Sequence, residues 1–526
     1  MLSGAASLLL SLLIPVLHQF PQPQLHDEFS YLLAGETFAS GRLTNPASPF
    51  AEHFETFQVL QSPTYMSKYP PGQGLALAAG IVLSGRPSVG VWLSSALAVV
   101  AVTWALQGML PRRWALLGGL IAATHPLMQQ WNKGYWGGSV ALLGGALLVG
   151  SAVRLTRQAR VRDGILAAIG VSVLANTRPY EGLLLTLLVS VATLIVLARR
   201  NALVHSLRSC AVPAAIVLAL NFAWMAIYNH AITGDALRLP YIEYESRYAL
   251  TPPVVLLPAP RQDKTYTHPV METYYREWEL PQYARQDTLA ELPGAMWEKL
   301  RIAQRALLRA GNDAEELPAP VTALRWLIVL PWLGLPLVLW QHRRLRVVAL
   351  LLALFLLGSF FALWFFPHYA APAGVLLVLL HVGLVRFATI SLPRRTGTTI
   401  LGLVLLGHAV DAGSYLFRLG RGDFVPWTQG RSELLDDLRR DPDRWLVLVS
   451  HRPDAIAHIE WVFNGPDQRD GKVVFARSID EPRDRALIAD FTSRGYRVGR
   501  LRIDGAVLRW EEANRKRENS NLPGDG

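Results

Sequence analysis

Long stretches without charge constrain this chain more than any other feature. Residues 75–83, 89–106, 140–153, 183–197 and 347–366 contain no Asp, Glu, Lys or Arg. A helix lying on a soluble core would show a polar stripe repeating every three to four residues, and these stretches show none. Of the 526 residues 51% are hydrophobic and only 17% charged, against about 25% charged in an ordinary soluble domain. The chain therefore reads as a polytopic α-helical membrane protein with about eleven transmembrane helices.

The net charge of +11 would suit a nucleic-acid binder, but the basic residues are placed otherwise. They cluster in short loops between apolar spans: Arg112 and Arg113; Arg154, Arg157, Arg160 and Arg162; Arg199, Arg200 and Arg208; Arg343, Arg344 and Arg346; Arg386, Arg394 and Arg395. Asp163 is the one acidic residue among them. This is the positive-inside bias, which argues for a topology signal and against nucleic acid. It places the amino terminus in the cytoplasm and the carboxyl terminus outside a plasma (inner) membrane. The single cysteine, Cys210, excludes an intrachain disulfide framework and a cysteine-based zinc site. Residues 2–17 have no basic n-region and no small-residue cleavage site, so they read as a retained first helix rather than a signal peptide.

With those clusters inside, the segments left outside are 18–71, 125–136, 176–181, 229–321, 365–370 and everything after about 419. The alternation closes if 73–83 is interfacial or re-entrant and 89–110 spans, with Gly85-Arg86-Pro87 between them. Segment 18–71 contains an amphipathic stretch, 28–40, suited to a helix on the membrane surface. Segment 229–321 is rich in Tyr, Trp, Arg and Glu, and a loop of that length normally carries function, here substrate binding. After residue 424 the composition becomes soluble. Apolar runs at 445–450, 472–476 and 496–503, with helical spacing over 481–493, predict a small extracytoplasmic α/β domain at 434–511 and a disordered tail over 513–526. There is no internal repeat.

The chemistry-bearing residues gather on the outer face. Asp27 and Glu28 follow the first span at the lip of the bilayer, where acidic groups are costly unless paired or used; the plainer alternative is that Asp27 caps the helix behind it. In the same segment Lys68-Tyr69-Pro70-Pro71 sets a cation where the chain re-enters the interface. Lysine there could grip a phosphate as a point charge or anchor to headgroups. A carboxylate pair and a phosphate-gripping lysine in one loop are the minimum for glycosyl transfer from a lipid phosphate.

These residues resemble a known family. The segments His26-Asp27-Glu28-Phe29-Ser30, Ser67-Lys68-Tyr69-Pro70-Pro71-Gly72 and Asn132-Lys133-Gly134-Tyr135-Trp136-Gly137, with the span order and the C-terminal domain, resemble the GT-C superfamily of polyprenyl-phosphate-sugar glycosyltransferases. The likeness is to protein O-mannosyltransferases and bacterial aminoarabinose transferases, covers residues 1 to about 417, and is weaker in the C-terminal domain. It implies that Asp27 is the catalytic or acceptor-orienting aspartate, Glu28 its acidic neighbour, and Lys68 the holder of the lipid phosphate, although Tyr69 interrupts the usual Lys-Pro-Pro. It further implies a polyprenyl-phosphate-linked sugar donor, an extracytoplasmic acceptor in the cell envelope, and inversion at the anomeric carbon. His26, Tyr69, Lys133, Tyr135 and Trp136 fall within the matching blocks as substrate-binding candidates. Relatives differ in metal use, so a divalent ion (Mg²⁺ or Mn²⁺) stays open; Glu28 or an external histidine could supply a ligand, but no ligand set is complete in the sequence.

Arg178 could bind the donor phosphate or pair with Glu181. His368 and Tyr369 could line the donor site or anchor at the interface. Glu243 and Arg247 have the spacing of a helix-surface ion pair, with Arg238 nearby to steer an anion. His451 and His458 read as ordinary surface histidines. A flippase or transporter is the competing function, and it should carry ionisable groups deep in its spans and an internal repeat; these spans look nearly free of charge. A non-catalytic scaffold would need neither Asp27–Glu28 nor Lys68.

Overall fold

The computed structural model describes residues 1–260, 263–308, 318–419, 426–451, 457–504, 507–512 and 515–517. Among them seven helices are long and apolar enough to cross a bilayer: Pro87–Gln107, Gly138–Leu155, Pro179–Arg199, Leu203–Thr233, Ala319–Gln341, Pro367–Ser391 and Arg394–Leu419. The expected total of about eleven is reached only by adding Leu2–Leu17, Arg112–Thr124, Val161–Ala175 and Arg343–Ser359, of 16, 13, 15 and 17 residues. At 1.5 Å per residue these reach roughly 20–26 Å, short of a ~30 Å hydrocarbon core. They pack within the bundle; Leu2–Leu17 lies on Pro87–Gln107, with Ser3 Oγ 2.8 Å from Thr103 Oγ1. The expected interruption in the third segment is present. Helix Pro71–Ser84 ends at Gly85, whose φ of 71° suits glycine, and Pro87–Gln107 begins two residues later.

The spans are not as free of charge as the sequence suggests. Arg325 Nε lies 2.7 Å from Asp411 Oδ1, and both side chains are buried between two spans. Deeper in the bundle Trp332 Nε1 donates to His381 Nδ1 at 3.1 Å, and His381 Nε2 is 3.1 Å from His408 Nε2. Each group answers a partner on a neighbouring helix, which offsets its desolvation. Such pairing is invisible when spans are read one at a time.

The outer layer is built on segment 18–71. Its surface helix, His26–Ala39, packs on Pro71–Ser84 and on a small antiparallel sheet. That sheet has strands β1 (Asn45–Pro46), β2 (Val59–Leu60) and β3 (Thr64–Ser67) in the order β1-β3-β2. The Ser30 hydroxyl, 2.7 Å from Ser67 Oγ and donating to Gln58 O at 2.6 Å, ties helix to sheet.

The C-terminal domain is larger than expected. Strands β4 (Arg444–His451), β5 (Val473–Arg477), β6 (Tyr496–Asp504), β7 (Val507–Glu512) and β8 (Arg515–Arg517) form one sheet in the order β5-β4-β6-β7-β8, parallel around β4 and antiparallel beyond β6. The last strand lies inside the stretch expected to be a disordered tail, because Arg515–Arg517 pairs with the edge left open by β7; residues 518–526 lie outside the described part. Helix Pro426–Arg440 also starts before the expected boundary at 434. Both faces of β4 are apolar. Leu446 and Leu448 meet Leu487 and Phe491 of helix Glu481–Ser493, whereas Trp445, Val447 and Val449 share a cluster with Trp461, Phe463 and, from segment 18–71, Phe29, Leu33, Val59 and Tyr65. The domain is thereby packed directly on the helix that carries Asp27.

Candidate active site

Between the membrane helices, the surface helix and segment 229–321 lies a cavity of about 1320 Å³. His26, Asp27, Lys68, Tyr69, Lys133, Trp136, Arg178, His368 and Tyr369 all line it, so most of the residues singled out in the sequence converge on one space.

Asp27 sits in the first turn of helix His26–Ala39 and does not cap it; that task falls to its neighbour. Glu28 Oε2 accepts from the backbone N–H of Gln24 (2.8 Å) and Leu25 (3.2 Å), and Oε1 from that of Tyr135 (2.8 Å). Glu28, expected as a catalytic partner, thus has both oxygens engaged by backbone and fastens the helix start to the 133–136 loop. Burial pushes its carboxyl up to about 7 against the pull of those N–H groups. Asp27 differs. Its Oδ2 is 3.0 Å from His26 Nδ1, and its Oδ1 accepts from the Tyr69 hydroxyl. Burial alone would raise its pKa, but the bonds from His26 and Tyr69 and the nearby Lys68 ammonium hold it well below the usual carboxylate range. Tyr69, the residue that interrupts the Lys-Pro-Pro block, stacks on Tyr31 at 4.4 Å and holds the aspartate.

Lys68 points elsewhere than expected. Its Nζ is 2.6 Å from Glu245 Oε1 and 4.6 Å from the ring centres of both Tyr241 and Tyr244, so this ammonium already has its counter-charge. To hold a phosphate it would have to leave that buried pair. Arg178 is an open cation. No Arg178–Glu181 ion pair forms; the guanidinium lies over the Tyr369 ring at 4.6 Å and faces the cavity with no carboxylate in ion-pair range among the described residues. His368 is buried against Trp136 at 4.7 Å. Tyr135, in contrast, is turned to the scaffold: its hydroxyl donates to Pro21 O and its carbonyl accepts from Gln73. Arg238 is held by Glu243 (2.6 Å), which also pairs with Arg247 (2.5 Å) as the spacing predicts, and it does not reach the cavity.

Segment 229–321 contributes Tyr241, Glu245, Tyr274, Tyr275, Trp278, Glu279 and Arg305 to the wall, none of which the sequence singled out. Their signal was the density of aromatic and acidic residues in Pro240–Tyr248 and in the π-helical turn Tyr274–Glu279. Glu279 accepts from Thr251 Oγ1 at 2.8 Å. Burial, reinforced by the Glu245 charge, pushes its carboxyl up to about 7. His458 corrects an expectation outright: it is a cavity residue, stacked on His26 at 5.3 Å and edge-on to Trp278 at 4.8 Å. The side chain of His451 lies outside the described part. No group of three or more His, Cys, Asp or Glu among the described residues is placed to hold a metal ion. Glu28 would have to give up its backbone bonds to become a ligand.

With seven helices long and apolar enough to cross a bilayer, the chain is an integral membrane protein, and its fold has counterparts among solved structures. It is similar to ArnT from Cupriavidus metallidurans bound to undecaprenyl phosphate, at 12% identity and a TM-score of 0.51, with 95% of this chain and 92% of that chain covered. It is also similar to the Archaeoglobus fulgidus oligosaccharyltransferase tethered with an acceptor peptide, at 11% identity and a TM-score of 0.49. There 88% of this chain is covered, and the chain spans 63% of the archaeal enzyme's length. No family model matches the sequence, and no curated protein does.

Proposed function

We propose that this protein is a membrane glycosyltransferase that moves a sugar from a polyprenyl-phosphate donor to the hydroxyl of an extracytoplasmic acceptor, with inversion. One observation carries this reading: a single cavity joins a carboxylate kept ionised, Asp27, to an open guanidinium, Arg178, on the side of the bundle that carries the C-terminal domain. The ArnT to which the fold is similar binds a polyprenyl phosphate. Arg178 presents a planar fork suited to two phosphate oxygens and grips the donor, with Lys133 and Arg305 on the same wall. The Asp27 centre activates the acceptor hydroxyl, which attacks the anomeric carbon opposite the departing phosphate. One displacement inverts the configuration, and matching the developing phosphate charge makes a strong acid unnecessary. Lys68 acts from behind, fixing Glu245 and the tyrosine wall.

The test is transfer of a radiolabelled sugar from purified undecaprenyl-phosphate donors to a cell-envelope extract, with the protein in nanodiscs. Asp27→Asn is expected to lose roughly 10²–10⁴-fold in rate while expression stays normal. Asp27→Glu is expected to rescue poorly, because position matters. A product that retains the anomeric configuration, or transfer unchanged by Asp27→Asn, would refute the mechanism. A flippase would move donor across the bilayer without covalent transfer.

A further inference from the structure

Asp27 is the expected base, yet both of its oxygens are occupied, one by the Tyr69 hydroxyl and one by His26. A carboxylate oxygen 3.0 Å from a bare imidazole nitrogen would set two lone pairs against each other, so His26 Nδ1 carries hydrogen and donates to Asp27. The Gln58 amide fits the same assignment. Its nitrogen lies 3.3 Å from Nδ1 while its oxygen has no partner, and turning the amide over sets the oxygen beside the Nδ1 hydrogen instead. In the neutral ring Nε2 is then a bare acceptor. His26 is buried, and Nε2 has no hydrogen-bond partner among the described residues. Around the ring stand Phe57 at 5.2 Å, Tyr274 edge-on at 6.0 Å and, from the C-terminal domain, His458 at 5.3 Å. The charged and titratable groups on this centre are Asp27 and Glu28 on its own helix, Lys68 and Tyr69 across from it, Tyr274, and His458.

We infer that His26, oriented by Asp27, is the general base: the acceptor's proton passes to His26 Nε2, and His458 is the positioning side chain that closes the dyad from the C-terminal domain. The inference rests on the glycosyl-transfer reading and deepens it. As the acceptor oxygen bonds to the anomeric carbon, its proton moves to Nε2. The bond from that carbon to the phosphate oxygen breaks, and its electron pair leaves with the lipid phosphate. The imidazolium is matched by Asp27, which stays ionised, and its proton goes to water when the product departs. This is the division of labour by which a buried aspartate fixes the tautomer of a histidine base and stabilises its charged form. His458 stacks within 24° of coplanar on His26 and covers one face of the ring, which leaves an acceptor hydroxyl to meet Nε2 in the ring plane.

Two independent measurements test it. His26→Asn keeps an N–H donor for Asp27 but has no base, and it is expected to lower kcat about 10²–10³-fold with the donor KM little changed. His26→Ala is expected to recover part of its rate with added imidazole, which a purely structural role would not allow. The assay uses the same panel of radiolabelled undecaprenyl-phosphate sugars and the same extract. His458→Phe, which keeps the stack, is expected to stay within a few-fold of wild type, while His458→Ala loses rate that added imidazole does not restore. The second measurement needs no turnover: ¹⁵N-histidine NMR, assigned by the signals lost in His26→Asn, is expected to show Nδ1 protonated and Nε2 bare. A His26→Asn rate within about threefold of wild type, or a neutral ring protonated at Nε2, overturns the inference. If the wild type turns over no donor of the panel, the transfer reading fails, and the tautomer still decides whether the dyad exists.

Discussion

Lys68 shows how a residue that stands out in the sequence can meet a partner that does not. Its place at the end of segment 18–71 was plain in the sequence, but its aim depends on Glu245, 177 positions away and invisible to any local pattern. Its pairing moves its expected effect from rate to stability. Lys68→Met or Glu245→Gln alone leaves one buried charge uncompensated and should destabilise the outer layer by about 3–5 kcal/mol, whereas Lys68→Met with Glu245→Leu should recover much of the loss. Thermal unfolding in detergent measures this; a Lys68→Met that melts normally but transfers slowly would return the lysine to the phosphate. Arg178→Lys keeps the charge but loses the fork and the ring contact, and should raise the donor KM roughly 10–100-fold. Glu279 adds a pH dependence. Its folded pKa of about 7 lies above the 4.5 of a free glutamate, so its contribution to stability is complete below the unfolded value and is lost as pH rises through about 7. Glu279→Gln should flatten the fall in melting temperature between pH 5 and 8. His458 was not legible for the same reason as Glu245: a histidine in a soluble domain looks like surface until the domain is seen lying on the cavity.

The helices were easier to read than their contacts. The interruption at Gly85, the surface helix after Asp27 and the domain helix Glu481–Ser493 all announce themselves through proline, glycine and apolar spacing, which act locally. How closely two spans approach is not local. A Cβ added to Gly145, in span Gly138–Leu155, would lie 1.8 Å from the backbone oxygen of Pro372. Neither partner can yield, since both are main chain. Gly145→Ala must therefore displace the Pro367–Ala373 turn, and with it His368 and the Tyr369 ring under Arg178. Overpacking of this kind costs about 1–3 kcal/mol, and transfer should fall with it. Gly402, in span Arg394–Leu419, has nothing within 4 Å of the same added atom. Gly402→Ala should be neutral or gain up to ~1 kcal/mol through helix propensity. Comparing melting temperature and rate in these two variants separates close helix approach from a general intolerance of alanine.

The outer layer and the C-terminal domain bear on sidedness, which arginine counts alone leave as a bias. Phe29, two residues after Asp27, stacks on Phe463 at 4.3 Å and 3° and lies 4.8 Å from the Arg431 guanidinium, both in the C-terminal domain. Tyr65 donates to Asn464 O, and Arg42 pairs with Asp467, so the same domain is also bonded to the sheet that precedes Lys68. Segment 18–71 and the C-terminal domain must then lie on one side of the membrane. Helix Leu2–Leu17, if it crosses, puts residue 1 on the other side, and the five arginine clusters predict that this side is cytoplasmic. A C-terminal alkaline phosphatase fusion should be active and a C-terminal GFP fusion dark; the reverse pattern would turn the whole assignment over. The same contacts, with His458 in the cavity wall, make the domain part of the candidate site. Phe463→Ala removes the ring on which Phe29 rests and opens the side of the helix that presents His26 and Asp27. Truncating a buried phenylalanine typically costs about 3–5 kcal/mol, here drawn from the docking surface and not from the far face of β4, where Leu487 and Phe491 pack. The variant should insert normally and keep its C-terminal fold by limited proteolysis. It should lose transfer about 10-fold or more, as small misplacements of reacting groups do, and its helix His26–Ala39 should exchange amide hydrogens faster than in the wild type. Undiminished transfer with unchanged exchange would show that the surface helix holds Asp27 without the domain.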